Sequence, residues 1–171
     1  MVREKSGVMD DRLKARPYLL LALLLLVLDQ LSKLWVLSVF EPYEVLPVLP
    51  VFNLTLVFNP GAAFSFHSDA GGWQRIFFIV LSSLISIVLV VWLMHLRRGE
   101  RLTGIALGMT LGGALGNLID RIRLGKVVDF LDFYWQQWHW PTFNLADSAI
   151  TVGVVIMLLA SWTHKETQKN Y

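Results

Sequence analysis

Apolar and polar positions in this chain fall into long blocks. Four stretches, residues 18–40, 76–96, 102–119 and 143–162, are almost wholly apolar. Each spans roughly twenty residues, and at 1.5 Å per residue a helix of that length crosses a hydrocarbon core of about 30 Å. The pattern predicts four transmembrane helices. Residues 41–75 read differently, with Pro42, Pro47, Pro50 and Pro60 among β-branched and aromatic positions. Here 51–58 predicts a strand, Asn59-Pro60-Gly61 a turn and 62–66 its return. A spanning strand would leave backbone unpaired in lipid, so a small sheet on the membrane surface is expected. The stretch 120–142 reads as a loop. The expected fold is an all-α polytopic membrane protein, a single domain over 1–171, with a β subdomain at 41–75 between helices one and two.

The chain is 55% hydrophobic and 16% charged, with mean hydropathy +0.55. A soluble domain carries nearer a quarter charged residues. A basic head before Pro17 has the look of a secretory signal peptide, yet the apolar run continues to Phe40 with no small-residue cleavage site. The net charge of +2 could suggest an anionic partner. Most Lys and Arg, however, sit in the head, in the 97–101 loop and in the 165–169 tail, all on one side of a four-helix layout. That distribution reports topology and predicts cytoplasmic termini, with 41–75 and 120–142 outside. No nucleic-acid partner is expected. With no cysteine, thiol chemistry and thiolate metal sites are excluded. His67, His95, His139 and His164 show no ligand spacing, so neither metal nor cofactor is expected.

Against this apolar background the polar positions stand out. Residues 127–147 carry Asp129, Asp132 and Asp147 around a dense aromatic run. Trp and Tyr at that density mark the water–lipid boundary, and a carboxylate at the mouth of a membrane helix points to function. Asp29 and Lys33, four apart on helix one, read as a structural ion pair. Asn117, Asp120 and Arg121 share a face at the end of helix three, as an interfacial anchor or, preferably, a polar shelf supporting the carboxylates. Asn144 lies three residues before Asp147, placed to cap helix four and to donate to that acid. Gly104, Gly108, Gly112 and Gly116 recur every four residues, a stripe that lets helices approach closely and makes helix three the central packing element.

Two carboxylates sharing one proton can act together, the ionised one taking a proton from water while the other polarises a carbonyl. This is the chemistry of an aspartyl protease, although the physics alone shows only a carboxylate site. Ser148 with Lys126 or Lys33 as base is a weaker reading, since a serine at a helix start usually caps or packs. A proton- or ion-coupled carrier would need acids spread in depth and favours internal repeats, and neither is present. Lipid-phosphate transfer would need clustered metal-binding acids, which the spacing does not supply.

Five motifs then resemble one family. These are Asp29-Gln30-Leu31-Ser32-Lys33, Asn59-Pro60-Gly61-Ala62-Ala63-Phe64-Ser65, the run from Gly112 to Arg121, Val127-Val128-Asp129-Phe130, and Phe143-Asn144-Leu145-Ala146-Asp147. In this order they resemble the bacterial lipoprotein signal peptidases, or signal peptidase II. The resemblance implies a four-helix inner-membrane protease with a small periplasmic sheet and a periplasmic helix or loop before helix four. It implies Asp129 and Asp147 as the catalytic pair, with Asn59, Gly61, Asn117, Asp120, Arg121 and Asn144 supporting substrate or dyad. The implied substrate is a prolipoprotein bearing a diacylglyceryl cysteine, cut just before that cysteine, with globomycin-like peptides as inhibitors and membrane lipid as surroundings. Of the acids in 127–147, Asp132 is left as a solvated neighbour in the headgroup zone.

Overall fold

The computed structural model describes residues 5–61, 73–97 and 100–169. Four helices dominate: α1 (Lys5–Val39), α2 (Trp73–Met94), α3 (Arg101–Leu124) and α4 (Leu145–Lys169). Each contains a span long and apolar enough to cross a membrane: Ala15–Val39, Trp73–Met94, Arg101–Leu124 and Leu145–Trp162. The third helix runs past the expected end at 119, because Arg121 and Arg123 suit the negative end of its dipole. Its last carbonyls are also satisfied. Gly125, left-handed at φ 75, donates its N–H to the Arg121 carbonyl, and Arg75 of α2 donates to the carbonyls of Arg121 and Ile122.

In α3, 67% of the apolar window is buried, against 22% or less in the other three spans. The glycine stripe explains how. A Cβ at Gly108 would sit 2.7 Å from the Tyr18 carbonyl oxygen, and one at Gly112 2.6 Å from that of Ala22, both on α1. Gly113 faces Ala146 of α4 at similar closeness. Small residues therefore bring both neighbouring helices against α3.

The sheet corrects the sequence reading. Its strands are β1 (Val45–Leu49), β2 (Phe52–Asn59), β3 (Val127–Trp135) and β4 (Trp138–His139), antiparallel in that order. The sheet is therefore not confined to 41–75, and 120–142 is no simple loop. VVDFLDFYW is β-branched and aromatic, so it pairs with β2 once the chain returns from α3. The expected return at 62–66 lies outside the described residues, and β1 precedes β2 instead of following it. Leu56, Val128 and Phe130 pack on Val36 and Phe40 near the end of α1, seating the sheet on the bundle. Its strands connect α1 to α2 and α3 to α4, so the sheet sits at one end of the bundle.

Candidate active site

Asp129 lies in β3 opposite Val57 of β2. On the other edge of β3 the chain returns toward α4. Phe130 and Leu131 donate their N–H groups to the Phe143 carbonyl at 3.0 and 2.8 Å, and Phe143 donates back to Leu131 at 3.1 Å. This bridge sets Asn144 beside Asp129 and starts α4 there. Phe143 is thus extended and the helix begins at Leu145, two residues later than expected. Asn144 caps it, its Oδ1 accepting from the Asp147 N–H at 2.9 Å. Asp147, in the first turn, accepts at Oδ2 from the Asn144 N–H at 3.3 Å.

Three asparagines are held with their donors toward the carboxylates. Each has its oxygen engaged by a donor, which turns the NH₂ the other way. Gly61 N–H binds Asn59 Oδ1 at 2.8 Å, so Asn59 Nδ2 reaches Asp129 Oδ2 at 2.9 Å. Asn144 Oδ1 holds the helix cap, so its Nδ2 donates to Asp129 Oδ1 at 2.6 Å. Lys33 Nζ, which can only donate, binds Asn117 Oδ1 at 3.0 Å, leaving Asn117 Nδ2 to donate to Asp147 Oδ1 at 2.7 Å. Gly61 has φ 108, a conformation L side chains rarely adopt, and a Cβ there would collide with Phe78. Its glycine is needed both for the turn and for the fit.

Asp129 is 1% exposed. Burial, reinforced by the charge of Asp147 and opposed by the bonds from Asn59 and Asn144, pushes its carboxyl up to about 6. Asp129 can thus hold a proton closer to neutrality than an ordinary carboxylate. Arg121 lies within electrostatic range of Asp129, Asp147 and Asp120. Its guanidinium sits over the Phe78 ring at 5.1 Å and donates to the Asn117 carbonyl at 3.3 Å.

Just beneath the pair is a second polar cluster. Lys33 forms ion pairs of 2.9 Å with both Asp29 and Asp120. Asp29 also accepts from the Ala146 N–H, and Asp120 from that of Val128. Gln30, to which the sequence reading gave no role, donates to Asp29, Asp120 and the Gly116 carbonyl. The cue was its place between Asp29 and Lys33, but only the fold shows two acids meeting its amide.

Among the candidates, the structure brings together Asn59, Gly61, Asn117, Asp120, Arg121, Asp129, Asn144 and Asp147, with Asp29 and Lys33 below. Two readings are corrected, at Asn144 and Asp132, while Ser148 takes the packing role expected of a serine at a helix start. The Asn144 side chain donates to Asp129, while its backbone N–H serves Asp147, because the cap occupies the amide oxygen. Asp132 is buried, not solvated: it accepts from Asn53 at 2.8 Å and pairs with His139 at 2.8 Å. Ser148 donates its hydroxyl to the Asn144 carbonyl at 3.0 Å. Of its suggested bases, Lys33 is held in the ion cluster and Lys126 over the Phe58 ring.

The family model described as Signal peptidase (SPase) II matches residues 21–163. A lipoprotein signal peptidase of Cupriavidus necator is 51% identical over 138 residues, covering 81% of this chain and 78% of its own. One from Pseudomonas aeruginosa is 48% identical over 159 residues, covering 92% of this chain and 94% of its own. Among solved structures, a bacterial membrane enzyme determined by the in meso method at 2.3 Å superposes with TM-score 0.79 at 29% identity, covering 91% of this chain and 93% of that one. Another, at 1.9 Å, gives TM-score 0.74 at 30% identity, covering 84% and 91%. With two aspartates bridged by Asn144 at one end of four helices long and apolar enough to span a membrane, the chain belongs to the signal peptidase II family of aspartic peptidases.

Proposed function

We propose that this chain removes signal peptides from prolipoproteins with Asp129 and Asp147 as its catalytic dyad. The observation that carries the reading is Asn144, which binds Asp129 through its side chain and Asp147 through its backbone, tying an acid of β3 and an acid of α4 into one unit. The ionised carboxylate takes a proton from the attacking water. The protonated one hydrogen-bonds the scissile carbonyl and stabilises the charge that develops on it. Protons then return through the same pair to the leaving amine. Asn59, Asn117 and Asn144 keep both carboxylates in place, and Arg121 supplies nearby positive charge. Asp29, Lys33 and Asp120 hold the helices beneath.

The substrate we assign is a prolipoprotein whose cysteine carries diacylglycerol, cut just before that cysteine. Apolar helix faces below the dyad, with Leu31, Leu34 and Trp35 exposed on α1, can keep acyl chains in the bilayer while the adjacent peptide meets the carboxylates. Basic residues cluster at the helix ends opposite the sheet. By the positive-inside rule, this supports cytoplasmic termini and a dyad facing the periplasm from the inner membrane. Globomycin-like peptides are the inhibitors this reading expects.

The test is release of signal peptide from a diacylglyceryl-modified prolipoprotein by the purified chain, beside the unmodified precursor. Cleavage of the modified form only is expected. Equal cleavage of both would remove the lipid from the reading, and undiminished cleavage by Asp129→Asn or Asp147→Asn would remove the dyad.

A further inference from the structure

The Asp132 carboxylate bonds residues on both flanks of β3. Its Oδ2 accepts from Asn53 Nδ2 on β2 at 2.8 Å, and its Oδ1 meets His139 Nδ1 on β4 at 2.8 Å. It lies three residues from Asp129, so in an extended strand it leaves the opposite face and cannot join the dyad.

Its position matters because β3 carries a register slip on each flank beside Asp132, between Leu131 and Asp129 toward β2 and between Tyr134 and Leu131 toward the return arm. Toward β2, Leu54 pairs with Leu131 and Val57 with Asp129, so Thr55 and Leu56 together oppose Phe130. Toward the return arm, Tyr134 pairs with His139 and Leu131 with Phe143. There Trp140, Pro141 and Thr142 oppose only Asp132 and Phe133. A bulge leaves an extra residue unpaired and locally disrupts the ladder. The turn of this hairpin offers little help. The two-residue loop sets only the Trp135–Trp138 end of the hairpin, and Gln136 adopts φ 55 where such turns favour Asn or Gly. A slip in the return arm would move Phe143 and Asn144 along β3, carrying Asn144 away from Asp129. Asn59 and Asn144 pin the dyad side of the slips. Asn53 and His139, through Asp132, pin the far side.

We propose that Asp132, clasped by Asn53 and His139, is a positioning residue that fixes the register of the return arm and hence the placement of Asp147 against Asp129. This rests on the peptidase reading above. The clasp touches neither carboxylate of the dyad and acts on the chemical step only through the placement of Asp147.

The experiment compares parent, His139→Leu and His139→Gln in kcat and KM per folded molecule, and follows hydrogen exchange at the Phe130, Leu131 and Phe143 amides without substrate. His139→Leu keeps bulk but cannot donate, whereas a Gln amide can again reach Asp132. His139→Leu is expected to lower kcat on the order of tenfold or more with little change in KM, as a small misplacement of reacting groups does. Exchange should quicken at the three amides, and His139→Gln should restore both. A loss of thermal stability with kcat unchanged, or a rise in KM alone, would overturn the assignment. So would unaltered exchange. If the parent itself fails to cleave a diacylated prolipoprotein, the peptidase reading fails, while the exchange result still decides whether the clasp sets the register.

Discussion

Two acid clusters lie close together in this protein, and Asn117 joins them. In the lower one, Asp29 and Asp120 share the ammonium of Lys33, and Gln30 and backbone N–H groups fill their remaining positions. In the upper one, the donors to Asp129 and Asp147 among the described residues are neutral: the side chains of Asn59, Asn117 and Asn144 and one backbone N–H. The residue types are alike; the difference is a cation in direct contact. A pair with its own ammonium holds helices together. A pair given amides instead retains a reason to keep a proton, which is what acid–base chemistry needs. Asn117 passes the order of the first to the second, since Lys33 decides which way its amide points.

The comparison breaks most directly at the dyad. Asn keeps the shape of Asp but cannot ionise. Asp129→Asn and Asp147→Asn are each expected to lower signal-peptide release on the order of 10⁴-fold, the upper range for a positioned acid or base. The protein should nonetheless remain folded. Asp129 has a raised folded value, so the folded chain holds more protons than the unfolded one between the ordinary carboxylate range and about 6. Stability contributed by this group therefore falls as pH rises through that window. Above pH 6, Asp129→Asn should melt no lower than the parent in detergent. A clear loss of stability there would place Asp129 among structural acids.

The lower cluster should respond in the opposite way. Lys33→Met strands two buried carboxylates, and breaking a buried pair typically costs about 3–5 kcal/mol. Thermal unfolding in detergent is the measurement, with a large drop expected. Gly116→Ala is a gentler probe, because its added Cβ overlaps the Asp29 carboxylate. Overpacking of this kind costs about 1–3 kcal/mol. Activity per folded molecule should change far less than in the dyad variants. A Gly116→Ala protein with parental stability and no activity would mean the clusters do not divide the work as stated.

How much of this could be read beforehand follows the same division. The spans, the Asp29–Lys33 pair and the Asn117–Asp120–Arg121 face depend on local helical spacing, and the sequence shows them. Strand β3 is not legible in the sequence because its nine residues lie within an aromatic belt, and their strand character depends on β2, far away in the chain. Asp132 looked solvated because its partners, Asn53 and His139, come from two other strands. Asn144 was legible as a cap, but the direction of its amide was not. That direction depends on Leu131 bridging Phe143, a contact without side-chain specificity in the sequence.

The finest distinction is which aspartate holds the proton. Asn59 donates to Asp129, a bond that favours the ionised form and so opposes the effect of burial. Asn59→Ala removes that bond, and the Asp129 carboxyl should then rise further above 6. If Asp129 is the protonated member, activity is lost as pH climbs through its value, so the basic limb of kcat/KM lies near 6 in the parent. In Asn59→Ala that limb should move to higher pH, even as the maximum rate falls from poorer placement. The acidic limb, belonging to the first proton of the coupled pair, should move less. A basic limb that stays fixed, or moves to lower pH, would assign the proton to Asp147. Asn117→Ala, which removes the side-chain donor to Asp147, should then become the variant that shifts it.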